Sequence, residues 1–397
     1  MKLFFVGDYY QNNKTLNITD NFLNKILDSD KIVLNLEAPI LSSKLTKALK
    51  SGPNIYMNVD LLENLQKFKV NLLASCANNH IGDYGKEGVF ETINNLKESN
   101  IPYFGCGADE LNAQKEYLIN EQVAIIGVAE NEFGMASDNF PGANGLQVDK
   151  IFRQIKKLKS KEYVIIIYFH GGNEYCPIPN PFIKSLFKSF IDAGASVIIG
   201  NHTHCPQGIE KYNEGLIFYS LGNFAFDKPV SEKVNNKQKI KNIIKKLIGY
   251  KSKKSFDFWN IGYGVSIDIQ ENNINYEVVP LKYTNSTIDL LNNQSEFDNY
   301  LKEISLIIND RTKYDELWDS WLYARKNNIL NIIDNINYTK IYTGEQSVLP
   351  FRNLLTCESH LEVLKGLNKL VELGKLNQHN VLNINKYQNP HNFEIKD

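Results

Sequence analysis

The sequence predicts an α/β protein, and three observations carry that expectation. Short apolar runs alternate with amphipathic helical patterns through the first two thirds of the chain. Several runs are continuously apolar, as strands covered on both faces are. Clusters of Asp, Glu, Asn, His and Gly follow directly on those runs, where α/β sheets place their ligands.

In chain order, strands are expected at Leu3–Val6, Ile32–Leu36, Val70–Ala74, Val123–Val128, Tyr163–Phe169, Ser196–Ile199 and Leu216–Ser220. A helix is expected over Gly88–Glu98, where Val89, Phe90, Ile93 and Leu96 repeat at helical spacing. Another spans Pro181–Ala193, with Asn180 as N-cap, Pro181 at the first helical position and Gly194 as stop. Gly264–Gln270 and Ile274–Val279 read as a hairpin turning at Glu271-Asn272-Asn273. Beyond about Asn285 the pattern is helical: Trp318, Trp321, Leu322 and Leu330 lie near helical spacing, and Leu361, Leu364, Leu367, Leu370 and Leu373 precede Gly374. Residues 1–285 are therefore assigned to an α/β domain and 286–397 to a helical cap or oligomerisation region without a catalytic motif.

Between about 230 and 258 the composition shifts to Lys, Asn and Ile. Ile240, Ile243, Ile244, Leu247 and Ile248 share a helical face, with lysines from Lys237 to Lys254 around it. Such a helix lies on an anionic membrane surface or attracts a polyanion, and a helix docked on its own domain has the same pattern.

Bulk composition narrows the classes. A chain of 397 residues with 43% hydrophobic and 22% charged residues is an ordinary globular one. A formal net charge of −1 carries no signal for nucleic acid, and none is expected as a partner. Five cysteines without paired spacing read as reduced, buried thiols. Leu3–Val6 is too short for an export signal and no apolar run is long enough to span a bilayer, so a cytoplasmic location is expected, with peripheral membrane contact through 237–254 as an option.

Five polar pieces carry the chemistry: Gly7-Asp8, Asn35-Leu36-Glu37, Asn79-His80, His170-Gly171-Gly172 and His202-Thr203-His204. Alone, each has an ordinary explanation as a turn-capping Asp, a surface Glu, a polar loop or a structural His. Together they put two carboxylates, an amide and several imidazoles at one sheet edge, a donor mixture suited to divalent Mn, Zn or Fe. In an extended segment His202 and His204 share a face, so both reach one small volume. The assignment is Glu37 as bridge, Asn79, His170 and His202 at one metal, Asp8 and His204 at another, and His80 as general acid. Two cations about 3.5–4 Å apart activate water for attack on an ester or amide.

The stretches GD at 7–8, NLEAPI at 35–40, ANNHIGDYGKEG at 77–88, HGGNEY at 170–175, GNHTH at 200–204, QGIE at 207–210 and YSLGNFAFD at 219–227 resemble the CapA-type capsule synthesis proteins. That poly-γ-glutamate capsule family is similar to the calcineurin-like metallophosphoesterases. The resemblance implies a four-layer α-β-β-α sandwich and a dinuclear-type site at Asp8, Glu37, Asn79, His170, His202 and His204. It implies a hydrolase acting on a phosphoester or γ-glutamyl amide of an anionic cell-envelope polymer, or a polymer-binding assembly protein that keeps a structural metal. Three departures stand out: Tyr10 replaces the imidazole of a D-x-H motif, the bridging acid is Glu, and Gly171 replaces a usual Trp. The last change is expected to open the pocket or remove a stacking wall.

Overall fold

The structure, a computed structural model, describes residues 1–12, 15–68, 71–229, 258–270, 273–292, 294–334 and 348–375. The basic 237–254 stretch, Val70 and the hairpin residues 271–272 lie outside the described residues.

Two sheets organise this α/β chain. The larger, nine-stranded sheet runs in spatial order Asn17–Ile18, Thr287–Leu290, Asn273–Thr284, Ile261–Gln270, Lys2–Tyr10, Lys31–Leu36, Leu72–Ser75, Tyr103–Phe104, with Asn223–Phe226 also paired to Lys2–Tyr10. The six-stranded sheet runs Ile209–Tyr212, Gly215–Phe218, Val197–Asn201, Val164–His170, Val123–Ala129, Tyr117–Ile119. Its four central strands pair in parallel, as do Lys2–Tyr10, Lys31–Leu36 and Leu72–Ser75 in the larger sheet. Parallel neighbours need crossover connections, which the alternation of runs and helices supplies.

Side chains along Lys2–Tyr10 go alternately to two cores. Leu3 and Phe5 share one core with Ile125, Ile166 and Ile198 of the smaller sheet. Phe4 and Val6 share the other with Phe22, Val89, Ile93 and Leu96. Tyr168 ties the sheets together: its ring lies 6.1 Å from that of Phe5, and its hydroxyl donates to the Val6 carbonyl at 2.5 Å.

The helix at Pro181–Ala193 has the expected limits, with Asn180 Oδ1 accepting from Ile183 N at 2.8 Å and Gly194 at φ 121°. Four readings change. The first strand continues to Tyr10, so Asp8 lies within it at a register shift, because Asn223–Phe226 pairs along Asp8–Tyr10. The helix expected from Gly88 begins at Gly85, and Phe90 is 42% exposed. Its buried face is completed by Thr92 and Asn95, which bind the backbone N–H and carbonyl of Ile40 at 2.9 Å each. Past Asn285 a strand, Thr287–Leu290, precedes the helices. Asn285 and Ser286, at φ 50° and 57°, make the tight turn that returns the chain to the sheet.

The helices Gln294–Asn309, Arg311–Asp334, Leu349–Thr356 and Glu358–Glu372 follow. Phe297, Ile304, Trp318, Trp321, Leu322, Val363 and Leu370 join the core of the smaller sheet, while Leu373 is exposed. Among the described residues no helix is long and apolar enough to cross a membrane.

Gly7 sets the approach of Lys2–Tyr10 to the 221–223 segment, since a Cβ there would lie 1.7 Å from Gly222 O. Gly7→Ala is expected to cost about 3 kcal/mol through forced backbone displacement. A urea unfolding midpoint equal to that of the unmodified protein would refute the close approach.

Candidate metal centre

Strand register brings the polar pieces level. In the larger sheet Asp8 pairs with Asn35 and with Asn223, and Asn35 with Ser75. In the smaller sheet His170 pairs with Ala129 and Asn201. Glu37, Asn79, His202 and His204 follow the ends of their strands, so donors from both sheets meet at the seam.

All six proposed ligands are buried there. Two groups of donor atoms, each within 4.8 Å of one another, form around a common member: Glu37 with His170 and His202, and Glu37 with Asp8 and His204. Asn79 Oδ1 lies 3.1 Å from His170 Nε2, which is 3.0 Å from His202 Nδ1. Asn35 braces the centre, its Nδ2 donating to Asp8 Oδ1 at 2.8 Å and lying 3.0 Å from His170 Nδ1. Asn223 Oδ1 holds His204 Nδ1 at 2.8 Å.

The extended geometry expected for His202-x-His204 is replaced by a bend. Both residues have positive φ, 89° and 52°, in the left-handed region that side chains rarely adopt. This bend lets the imidazoles serve different donor groups, with ring centroids 6.2 Å apart. The His202 N–H is held by Asp8 Oδ2 at 3.0 Å.

The charges are unbalanced. Burial pushes the Asp8 carboxyl up, but hydrogen bonding and charge from His170, with His204 and Asn35, outweigh it and hold the pKa at about 2. Glu37 is driven well above the carboxylate range by burial and by the Asp8 charge. Its Oε1 is buried without a hydrogen-bond partner. Burial, with the neighbouring His170, pushes His202 well below the usual imidazole range. A buried Glu37 carboxyl short of positive charge, its orphaned oxygen and the deprotonated His202 imidazole fit a divalent cation, which would supply the missing positive charge.

His80 sits in a separate cluster. Its Nδ1 lies 2.7 Å from Asp83 Oδ2, so an ionised Asp83 requires the imidazole proton on Nδ1. Lys50 Nζ pairs with Asp83 Oδ1, and its 3.1 Å approach to His80 Nδ1 is then donor against donor. Burial and the Lys50 charge lower the His80 pKa.

The positions of Tyr10 and Gly171 are both closed by packing. Tyr10 packs on Phe226, with ring centroids 5.2 Å apart. A Cβ on Gly171 would lie 2.6 Å from Glu130 Cγ and 2.6 Å from Phe169 Cε1, so the expected opening is filled. Glu130 accepts from Gly172 N at 2.7 Å and Ser359 Oγ at 2.6 Å. Burial raises its pKa to about 8 against those two bonds. Glu130, Cys357 and Glu358 also gather donor atoms within 4.8 Å. This group is satisfied internally, with Glu358 accepting from Asn131 at 3.1 and 2.6 Å.

The sequence reading missed Lys50, Glu130 and Glu132. The two acids follow the strand Val123–Ala129, and the strand-end rule applied there would have found them. Lys50 comes from an irregular loop with no such signal. All five cysteines are buried and free, and none contributes to the two groups around Glu37.

The chain belongs to the family of bacterial capsule synthesis proteins PGA_cap, which matches residues 2–228. It is 32% identical over 211 residues to the capsule biosynthesis protein CapA of Bacillus anthracis, covering 50% of this chain and 51% of that protein. It is 30% identical over 205 residues to the PGA biosynthesis protein CapA of Bacillus subtilis, covering 50% and 54%. A probable polyglutamine synthesis accessory protein of Mycobacterium tuberculosis is 28% identical over 216 residues, covering 50% and 56%. The chain thus spans about half the length of the curated relatives it matches.

Neutral Glu130 has a measurable consequence. Between the ordinary carboxylate pKa and about 8, the folded chain keeps a proton that the unfolded chain has released. Its contribution to stability is full below that window and is lost as pH rises through it. Glu130→Gln keeps one acceptor and the volume but has no titrating proton, so it is expected to remove a slope of up to about 1.4 kcal/mol per pH unit. Urea unfolding of both proteins from pH 6 to 8.5 checks this; equal slopes would refute a protonated Glu130.

Proposed function

We propose that this chain is a divalent-metal-dependent hydrolase that acts on an anionic cell-envelope polymer of the polyglutamate kind. The observation that carries the reading is Glu37: one buried carboxylate, with an orphaned oxygen, is common to two three-residue donor groups. In this reading Asn79, His170 and His202 hold one cation, Asp8 and His204 the other, and Glu37 lies between them. Mn, Zn or Fe suits the mixture of oxygen and imidazole donors. Bound cations would supply Lewis-acid polarisation and lower the pKa of water.

The remaining work falls to the protein. To serve as general acid, His80, whose Nδ1 faces Asp83, would carry a second proton on Nε2, pass it to the leaving group and regain it from water. Asn35 keeps Asp8 and His170 fixed relative to each other. The bond cleaved is a phosphoester or a γ-glutamyl amide, and the names of the relatives favour the polymer as substrate class. On the same reading the two sheets with their flanking helices make a four-layer sandwich, supported by the division of Lys2–Tyr10 between two cores.

A second reading, a non-catalytic assembly protein with a structural metal, is favoured by Tyr10. That residue packs on Phe226, and the group of Asp8, Glu37 and His204 has three members. Metal analysis combined with hydrolysis of an aryl phosphate and a γ-glutamyl anilide in Mn²⁺ separates the two. The hydrolase is expected to bind two ions and turn over. Asp8→Ala or His170→Ala is expected to lose at least on the order of 100-fold in activity and to lose metal. Mn²⁺ at about 100 times its Kd should also raise stability by about 2.7 kcal/mol. One ion without turnover supports the assembly protein, and no bound ion refutes both.

A further inference from the structure

We propose that Glu132 is a positioning residue for the metal centre: it orients the Asn79 amide, and it is itself held by Asn353 of the C-terminal helices. The inference rests on the metal-centre reading but concerns a residue outside both donor groups around Glu37.

An Asn side chain has two unlike ends, and only its oxygen can ligate a cation. Nothing in its own shape chooses which end faces the site; the hydrogen-bond partners choose. An ionised carboxylate can only accept, so it must take the NH₂ end. Asn79 Nδ2 donates to Glu132 Oε2 at 2.5 Å, which turns Oδ1 toward His170, 3.1 Å from its Nε2. Any neutral partner able to donate would leave both orientations open.

Glu132 is supported in turn. Its second oxygen, Oε1, accepts from Asn353 Nδ2 at 2.9 Å, from the helix Leu349–Thr356. The preceding residues of its loop are fastened to the next helix: Asn131 donates twice to Glu358, and Ser359 Oγ donates to Glu130. Asn353 lies more than a hundred residues beyond the family-matched segment 2–228. A helix outside that segment thus reaches the donors through one carboxylate.

Orienting partners of metal ligands typically contribute about 10–100-fold to affinity. The experiment is titration of Mn²⁺ into the metal-stripped full chain by calorimetry, with urea unfolding of each variant in parallel. Glu132→Ala is expected to weaken Mn²⁺ binding about 10–100-fold. Glu132→Gln, which keeps the volume but can donate as well as accept, should weaken it by a smaller factor, as should Asn353→Ala. Ser359→Ala breaks a neighbouring contact of the same helices without touching Asn79, so it should lower stability and leave the Kd unchanged. If Glu132→Ala does not fold, Glu132→Gln and Asn353→Ala decide the matter. Unchanged affinity in the folded Glu132 variants overturns the positioning role and leaves the metal centre standing. Equal weakening by Ser359→Ala also overturns it, because the effect is then general loosening. Failure of the unmodified chain to bind Mn²⁺ overturns the metal-centre reading and this one with it.

Discussion

Two carboxyl groups, Asp8 and Glu37, lie side by side with no exposure to water. Burying charge costs several kcal/mol per ion unless partners replace the lost hydration, and much of the architecture around the seam supplies such partners. The His170 and His204 imidazoles and the Asn35 amide converge on the pair, with the His202 donor atom within 4.8 Å of Glu37. Strand register does the placing, since Asp8, Asn35 and Asn223 sit level across three neighbouring strands. The bend at His202 and His204 belongs to the same arrangement. Positive φ at a non-glycine residue costs about 1–3 kcal/mol and persists only where surrounding contacts over-determine it. Here those contacts include the Asp8 bond to His202 N and the Asn223 bond to the His204 ring.

The two donor groups are chemically unlike. One offers two imidazoles and a carboxylate with a nearby amide oxygen, and the other offers two carboxylates and one imidazole. The first is the softer set and the second the harder. Under the proposed reading, one kind of cation has no reason to bind both with equal strength. The changes at Tyr10 and Gly171 point the same way: both positions have been absorbed into packing, against Phe226 in one case and against Glu130 and Phe169 in the other.

What could be read from the sequence follows the physics of parallel strands. Continuous apolar runs end in polar residues at the carboxyl edge, so Glu37, Asn79, His170, His202 and His204 could be singled out by their place after such runs together with their donor chemistry. Pro181–Ala193 was legible to the residue because cap, proline and stop glycine all agree. The extension of the first strand through Asp8 was not, since it depends on pairing with Asn223–Phe226, over two hundred residues away. Thr287–Leu290 escaped because its turn is Asn-Ser rather than a glycine dipeptide. Phe90 misled because apolar spacing cannot show that Thr92 and Asn95 hydrogen-bond their way into the interface. Lys50 and Asp83 meet at His80 through tertiary contact between a loop and a turn, for which no local pattern exists.

The family-matched segment supplies every donor around Glu37, yet it does not complete the walls by itself. The loop after Val123–Ala129 and the 173–180 segment both turn toward the C-terminal helices. Asn173 and Asn180 bind Ser359, Tyr314 OH donates to the Pro179 carbonyl, and Trp321 Nε1 to that of Tyr175. These contacts are polar, buried or partly buried, and specific in direction, so the helices cannot slide without leaving unpaired groups that cost about 1–3 kcal/mol each where fully buried. The donors and their walls therefore carry different information. Under the proposed reading the donors come from residues 8–204, inside the family-matched segment, while residues beyond 300 brace the loops beside them.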